Sequence, residues 1–167
     1  MHIRLRLATL EDVPELVAMR TTVNERLREL FGDGHWYDRP TEKGALLGMR
    51  RGKVYIARIR GRIAASLTLS TRKPWAIDRS YFTPVKKPLY LTGMAVDPKR
   101  QRKGLGRLCL EEARRIALAE DAESICLDAW DCPAGAGPFY AKCGWIEKGR
   151  TVYRVAPLIY YETLLVP

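Results

Sequence analysis

The sequence predicts an α/β fold of the α+β type, in which about four helices flank a mixed, largely antiparallel sheet of six to seven strands. Three observations carry this expectation. Apolar residues recur with a period of two in some stretches and at helical spacing in others. The two patterns follow one another as strand, helix, helix, strands, then strand–loop–helix, strand–helix and strands. The chain has 167 residues, enough for one substantial core and short for two, and shows no repeat, low-complexity tract or linker composition. Residues 1–167 therefore read as a single domain.

Residues 2–7 alternate, with Ile3, Leu5 and Leu7 on one side and Arg4 and Arg6 on the other, as in a half-buried strand. Thr9 and Asp12 are helix N-cap residue types and Pro14 suits a first turn. Leu16, Val23, Leu27 and Leu30 then recur at helical spacing until Phe31-Gly32-Asp33-Gly34. His35, Trp36 and Tyr37 fall in a loop before Pro40, and Thr41 caps a shorter helix through about Arg50. Val54 to Ile59 and Ile63 to Leu69 form a hairpin around Arg60-Gly61-Arg62.

Residues 70–88 hold three prolines, five basic residues and the aromatics Trp75, Tyr81 and Phe82, a long loop that is either functional or a flexible insertion. Leu89 to Val96 is a strand. The helix pattern over 106–119 has a buried stripe of Leu105, Leu108, Cys109, Ala113, Ile116 and Ala117, with Glu111 and Arg115 four apart on the outer face. Ile125 to Trp130 is a further strand, and Pro138 to Lys142 a brief helix stopped by Cys143-Gly144. Trp145 to Glu147, Tyr153 to Val155 and Leu158 to Leu165 complete the sheet.

Apolar content of 47% and charged content of 29% describe a soluble globular chain, and no apolar run approaches a membrane span of about 20 residues. The N-terminus lacks the apolar block of a signal peptide. Cys109, Cys126, Cys132 and Cys143 form no Cys-x-x-Cys pair and there are two histidines, so neither a metal site nor a disulfide framework is expected, and the expected compartment is the cytoplasm. The net charge of +10 raises a polyanionic partner. Five of the cations, Lys99, Arg100, Arg102, Lys103 and Arg107, lie within 99–107. Without them the balance is 24 against 19. Half the excess in nine residues points to a local phosphate ligand rather than a distributed nucleic-acid face.

Those nine residues surround Gln101-Arg102-Lys103-Gly104-Leu105-Gly106, between an apolar strand and a helix start. The first N–H groups of a helix have no internal partner and carry partial positive charge, an anion site in outline. Gly104 and Gly106 let the backbone come close to a phosphate. Cations near a helix N-terminus oppose the dipole, so five of them make sense around a bound anion. Gly106 is followed by Arg107, which excludes a Walker loop, and two glycines are too few for the dinucleotide fingerprint. The pattern Gln-x-x-Gly-x-Gly after an apolar strand and Val-Asp-Pro instead resembles the acetyl-coenzyme A loop of the GNAT superfamily of N-acetyltransferases.

A second segment, Phe139-Tyr140-Ala141-Lys142-Cys143-Gly144-Trp145, is similar to the family's Tyr-x-x-x-Gly-Phe, with Trp145 in place of Phe. The resemblance is specific over about residues 89–147 and topological elsewhere. It implies a GNAT-like sheet, acetyl-CoA as co-substrate, and transfer to a primary amine by direct attack. It implies that Gln101, Arg102, Lys103, Gly104, Leu105, Gly106 and Arg107 hold the pyrophosphate and that backbone groups of Met94 and Val96 pair with the pantetheine arm. It also implies that a backbone N–H of that strand, exposed by a bulge at Gly93, meets the thioester oxygen. Tyr140 would protonate the departing thiolate. Pro133 departs from the pattern, since many family members have Asn seven residues before the tyrosine.

The general base stays open in the sequence. Asp128 and Asp131 at the end of a strand are candidates, and Glu25, Glu29, Asp33 and Asp38 weaker ones. A thiol nucleophile at Cys132 or Cys143 is disfavoured by the lack of a nearby His. Trp36, Tyr37, Trp75, Tyr81 and Phe82 either flank an acceptor pocket or pack on the core. The expected acceptor is a small-molecule or peptide amine, with no membrane partner, nucleic acid disfavoured and a homodimer left open. Rival readings are another acyl-CoA or an oxygen acceptor on the same fold, a basic nucleic-acid-binding module without catalysis, and a CoA-binding regulator without activity.

Overall fold

The computed structural model of the protein describes residues 3–34, 36 and 38–165. Its strands are β1 (Arg6–Leu7), β2 (Lys53–Ile59), β3 (Arg62–Ser70), β4 (Pro88–Val96), β5 (Ser124–Trp130), β6 (Ile146–Tyr153) and β7 (Ala156–Leu164). The α-helices are α1 (Val13–Phe31), α2 (Glu42–Arg51), α3 (Leu105–Ala119) and α4 (Gly137–Lys142). The sheet order is β1-β2-β3-β4-β5-β7-β6. Pairing is antiparallel for β1 with β2, β2 with β3, β5 with β7 and β6 with β7, and parallel for β4 with β5. The chain forms two compact units, Met1–Leu69 with Gly93–Ala113 and Ser70–Thr92 with Arg114–Pro167, so β4 passes from one to the other after Thr92.

In the first unit Ile3 and Leu5 are buried as the alternation predicts, but the ladder forms only at Arg6 and Leu7, and Leu7 is half exposed. Asp12 fixes the entry to α1. Its carboxylate accepts Arg6 Nη1 and Nη2 (2.8 and 2.7 Å), Arg58 Nη2 (2.8 Å) and the Thr9 amide (2.7 Å). The Arg6 guanidinium, helped by the Thr9 amide and Arg58, holds this carboxyl well below the usual carboxylate range against the opposing effect of burial. Leu16 and Met19 of α1 pack with Val54, Ile56, Ile63 and Ala95 in one core cluster. The stripe then fades. Leu30 and Phe31 are exposed at the helix end. Thr41 Oγ1 accepts the Gly44 amide (3.1 Å) and starts α2 one residue past the cap, as its side chain dictates. Trp36 is buried and donates Nε1–H to the Gly32 carbonyl (3.0 Å), while His35 and Tyr37 lie outside the described residues.

In the second unit residues 70–88 are a packed loop rather than a flexible insertion. Ile77 and Phe82 join Tyr90, Cys126 and Tyr160 in a core cluster. The Tyr160 hydroxyl donates to the Ala76 carbonyl and accepts the Asp78 amide (3.1 Å). Glu162, only 2% exposed, accepts the Thr83 hydroxyl (2.7 Å) and pairs with Lys148 Nζ (3.2 Å), which satisfies a carboxylate that burial would otherwise penalise. The C-terminal strands differ from expectation. Three short strands are two long ones, β6 and β7, joined at Arg154, whose φ is +56°. The run Glu147-Lys148-Gly149-Arg150-Thr151 hides β6 because it lies at the end of the sheet order, where most of its side chains meet solvent.

Candidate functional site

The first unit carries the glycine-bearing loop. Within β4, Gly93 has φ +58°, a conformation that interrupts regular strand geometry, and its carbonyl accepts Arg20 Nη1 at 2.7 Å. Met94 and Val96 follow, both half-buried. The Val96 carbonyl accepts Gln101 Nε2 (3.0 Å), so the Gln101 side chain ties the loop back to the strand it leaves. The Asp97 amide donates to the Ala64 carbonyl (2.9 Å) and its carboxylate accepts the Lys99 amide (3.0 Å), which anchors the turn at Pro98–Arg100.

The chain then turns through Arg102 (φ +58°) and Gly104 (φ +80°) and enters α3 at Leu105. The first bond of the helical ladder runs from the Leu108 amide to the Gly104 carbonyl (3.1 Å). The amides of Gly104, Leu105, Gly106 and Arg107 therefore precede the ladder, with the helix's positive pole behind them. A Cβ placed on Gly104 would meet nothing within 4 Å, so the space over this peptide is open. Leu105 is 1% exposed and contributes a core side chain, leaving only its backbone for a ligand. Arg102 and Lys103 are exposed, and Lys103 Nζ reaches the Lys99 carbonyl (3.1 Å). Arg107 pairs with Glu111 (3.1 Å), where the sequence pointed to Arg115 as the partner. Free amides, an open glycine and flanking cations fit a diphosphate.

Arg20 is the residue that the sequence reading passed over. It lies beside the buried stripe of α1, donates from Nη1 to Gly93 and to Ser66 Oγ (3.3 Å), and burial works against its charge. Its signal was present. The residues three and four away on either side are Leu16, Val17, Val23 and Asn24, none of them acidic.

The second unit carries Tyr140. The helix α4 starts at Gly137, where a Cβ would come within 3.1 Å of the Tyr161 hydroxyl, and ends at Lys142, two residues before Gly144, whose φ of +81° is a left-handed stop. Tyr140 is 6% exposed, packed between Trp145 and Tyr161 with centroids at 5.7 and 5.9 Å. Burial, then the nearby Asp128 and Cys143, push its phenol above the usual range, so it is protonated at neutral pH. Burial likewise pushes the Asp128 carboxyl up, and among the described residues no cation pairs with it. Asp131 by contrast holds Arg150 (3.0 Å). Of the weaker base candidates, Glu29 pairs with Arg26 and Asp33 with Arg28, and Glu25 and Asp38 are exposed.

The loop after β5 turns at Gly135, whose amide donates to the Cys132 carbonyl (2.8 Å). A Cβ there would stand 1.8 Å from the Trp130 carbonyl oxygen, so only glycine fits this turn. Pro133 is exposed within it. Burial raises the Cys109 thiol to about 12 and the Cys126 thiol to about 11, which leaves both inert, while Cys132 and Cys143 are half-buried. Trp36 and Phe82 pack on the core rather than line a pocket, and Trp75 is exposed.

The helix start fits a phosphate-bearing ligand, and comparison makes the class specific. The model of the acetyltransferase (GNAT) family matches residues 17–145, and the chain belongs to that family. The match runs through both units and includes the glycine loop and Tyr140. Acetyl-CoA is the co-substrate of this family. The ribosomal-protein-S18-alanine N-acetyltransferase of Escherichia coli superimposes with a TM-score of 0.71 at 18% identity, over 98% of this chain and 94% of that one. The ribosomal-protein-alanine N-acetyltransferase of Brucella melitensis gives 0.72 at 17%, over 96% and 99%. The PaiA N-acetyltransferase of Thermoplasma acidophilum, solved in complex with coenzyme A, gives 0.72 at 14%, over 96% and 98%. At these identities the likeness is one of fold. No curated relative matches the sequence. Among the described residues no helix is long and apolar enough to cross a membrane.

Proposed function

We propose that the protein transfers the acetyl group of acetyl-CoA to a primary amine, with Tyr140 as the general acid. The observation that carries the reading is the start of α3, where Gly104 at φ +80° opens free space over amides that precede the helical ladder. Those amides, with Arg102 and Lys103, would hold the diphosphate, and the Met94 and Val96 backbone would take the pantetheine as an added strand. When bound, the thioester supplies an activated acyl carbon and a thiolate leaving group. Tyr140 keeps its proton at neutral pH, the state a donor must start from. The desolvation that raises its phenol would raise the proton affinity of a departing sulfur as well. Asp128 has the properties of the base that takes the ammonium proton, directly or through water, because no cation holds it in its ionised form.

A nucleic-acid module is the weaker reading, because the excess charge is concentrated at the α3 entry beside a glycine geometry that base stacking does not need. An amine screen tests the proposal. Incubation with acetyl-CoA and a panel of small amines and peptides, followed by mass spectrometry, should show a gain of one acetyl group on nitrogen. Acetylation of hydroxyl compounds alone, or turnover only with a different acyl-CoA, would replace the reading with another acyl transfer on this fold.

A further inference from the structure

We infer that Arg20 is a binding site for a carboxylate, so that the acceptor is an amine that also carries a carboxylate, as an amino acid does. The inference rests on the N-acetyltransferase reading and narrows its substrate class. Arg20 projects from α1 beside the core residue Met19, and its nearest helical neighbours Leu16, Val17, Val23 and Asn24 offer no acid. The acids at the start of the helix are already engaged, Asp12 by Arg6 and Arg58, and Glu15 by Arg58 and Arg62. Among the described residues no carboxylate approaches Arg20 within ion-pair distance.

The fork of the guanidinium is half used. Both bonds that Arg20 makes start from Nη1, to the Gly93 carbonyl at 2.7 Å and to Ser66 Oγ at 3.3 Å. Nη1 has two hydrogens, and these acceptors take both. The remaining donors, Nε–H and the two on Nη2, face no acceptor among the described residues. Nε–H and one Nη2–H are parallel and match the two oxygens of a carboxylate. The two bonds from Nη1 fix the plane of the group, which lies over Gly93 with Nη1 and Nη2 both 3.5 Å from where a Cβ would stand. A desolvated cation held in one orientation without a counter-charge is costly to fold, and an anionic ligand removes that cost. Gly93 is the kinked position of β4, the strand proposed to receive the acyl arm. An α-amino acid gripped by its carboxylate there has its amine two bonds away.

The test compares L-amino acids with their carboxamides as acceptors, in the wild type and in Arg20→Gln and Arg20→Lys. The wild type should prefer the acids by about tenfold or more in kcat/KM. Arg20→Gln should lose about a hundredfold on acids and less than threefold on amides. Arg20→Lys, which can still donate to the Gly93 carbonyl, should fall between the two on acids. Acetyl-CoA affinity, read by calorimetry, should hold in both variants. Equal losses on acids and amides would show that Arg20 only braces Gly93, and a wild type that accepts amides as well as acids would remove the site while leaving N-acetylation standing. Turnover of neither class, with acetyl-CoA still bound, would overturn both the carboxylate site and the amine reading beneath it.

Discussion

Tyr140 illustrates how environment would suit a common side chain to the proposed task of proton donor. Its phenol is shielded by Trp145 and Tyr161 and is held neutral by burial, with Asp128 adding to the effect. Tyr140→Phe keeps the ring packing and removes only the proton, so kcat should fall by about 10² while acetyl-CoA affinity changes less than twofold. Unchanged kcat in steady-state assays would take the tyrosine out of the mechanism. Asp128→Asn should abolish the acid limb of the pH–rate profile. A base must be deprotonated to act, and a raised carboxyl pKa places that limb above the usual carboxylate range. Tyr140 was legible in the sequence through its neighbours, Gly144 and Trp145. Its protonation state was not, because it depends on Tyr161 and Asp128, which only the folded chain brings near. Arg20 escaped for the opposite reason. An arginine in a helix ordinarily reads as a solvated charge, and its partners Ser66 and Gly93 are 46 and 73 residues away.

At the scale of elements, the loops that present the candidate groups depend on backbone positions that tolerate one residue type. The turn after β5 is the sharpest case. Gly135→Ala drives a methyl to 1.8 Å from the Trp130 carbonyl oxygen, so the turn leading to α4 must move. The expected loss is about 2–4 kcal/mol in urea denaturation, with lower activity from a displaced Tyr140. Wild-type stability would show that the turn relaxes without cost. Elements with a strong period or cap were read correctly from sequence. The Thr41 start of α2 and the hairpin at Gly61 are examples, since local rules decide both. β6 was fragmented in that reading because an edge strand with both faces wet has no alternation to detect. The α3 pairing of Arg107 with Glu111 shows the same limit, since two spacings satisfied one rule.

At the scale of the whole molecule, stability and ligand binding draw on different charges. Asp12 is a folding device. Removing it takes the carboxylate from Arg6, one of two from Arg58 and the acceptor from the Thr9 amide, and Asp12→Ala should cost about 2–3 kcal/mol at pH 7. Its folded pKa lies below the unfolded value of about 3.9, so its contribution is full above that value and is lost as pH falls below it. The gap between wild type and variant should therefore narrow progressively as the pH falls below about 5, and a constant gap would assign the loss to packing. In the proposed reading the cations around α3 serve the ligand instead, and Gly104 is where that proposal is most exposed. Gly104→Val should weaken acetyl-CoA binding at least tenfold in calorimetry. Gly61→Val at the hairpin, also at positive φ (+77°) with open space around it, imposes similar strain and should leave affinity unchanged. Equal acetyl-CoA affinity in the wild type and Gly104→Val would contradict the assignment of the α3 entry as the diphosphate site.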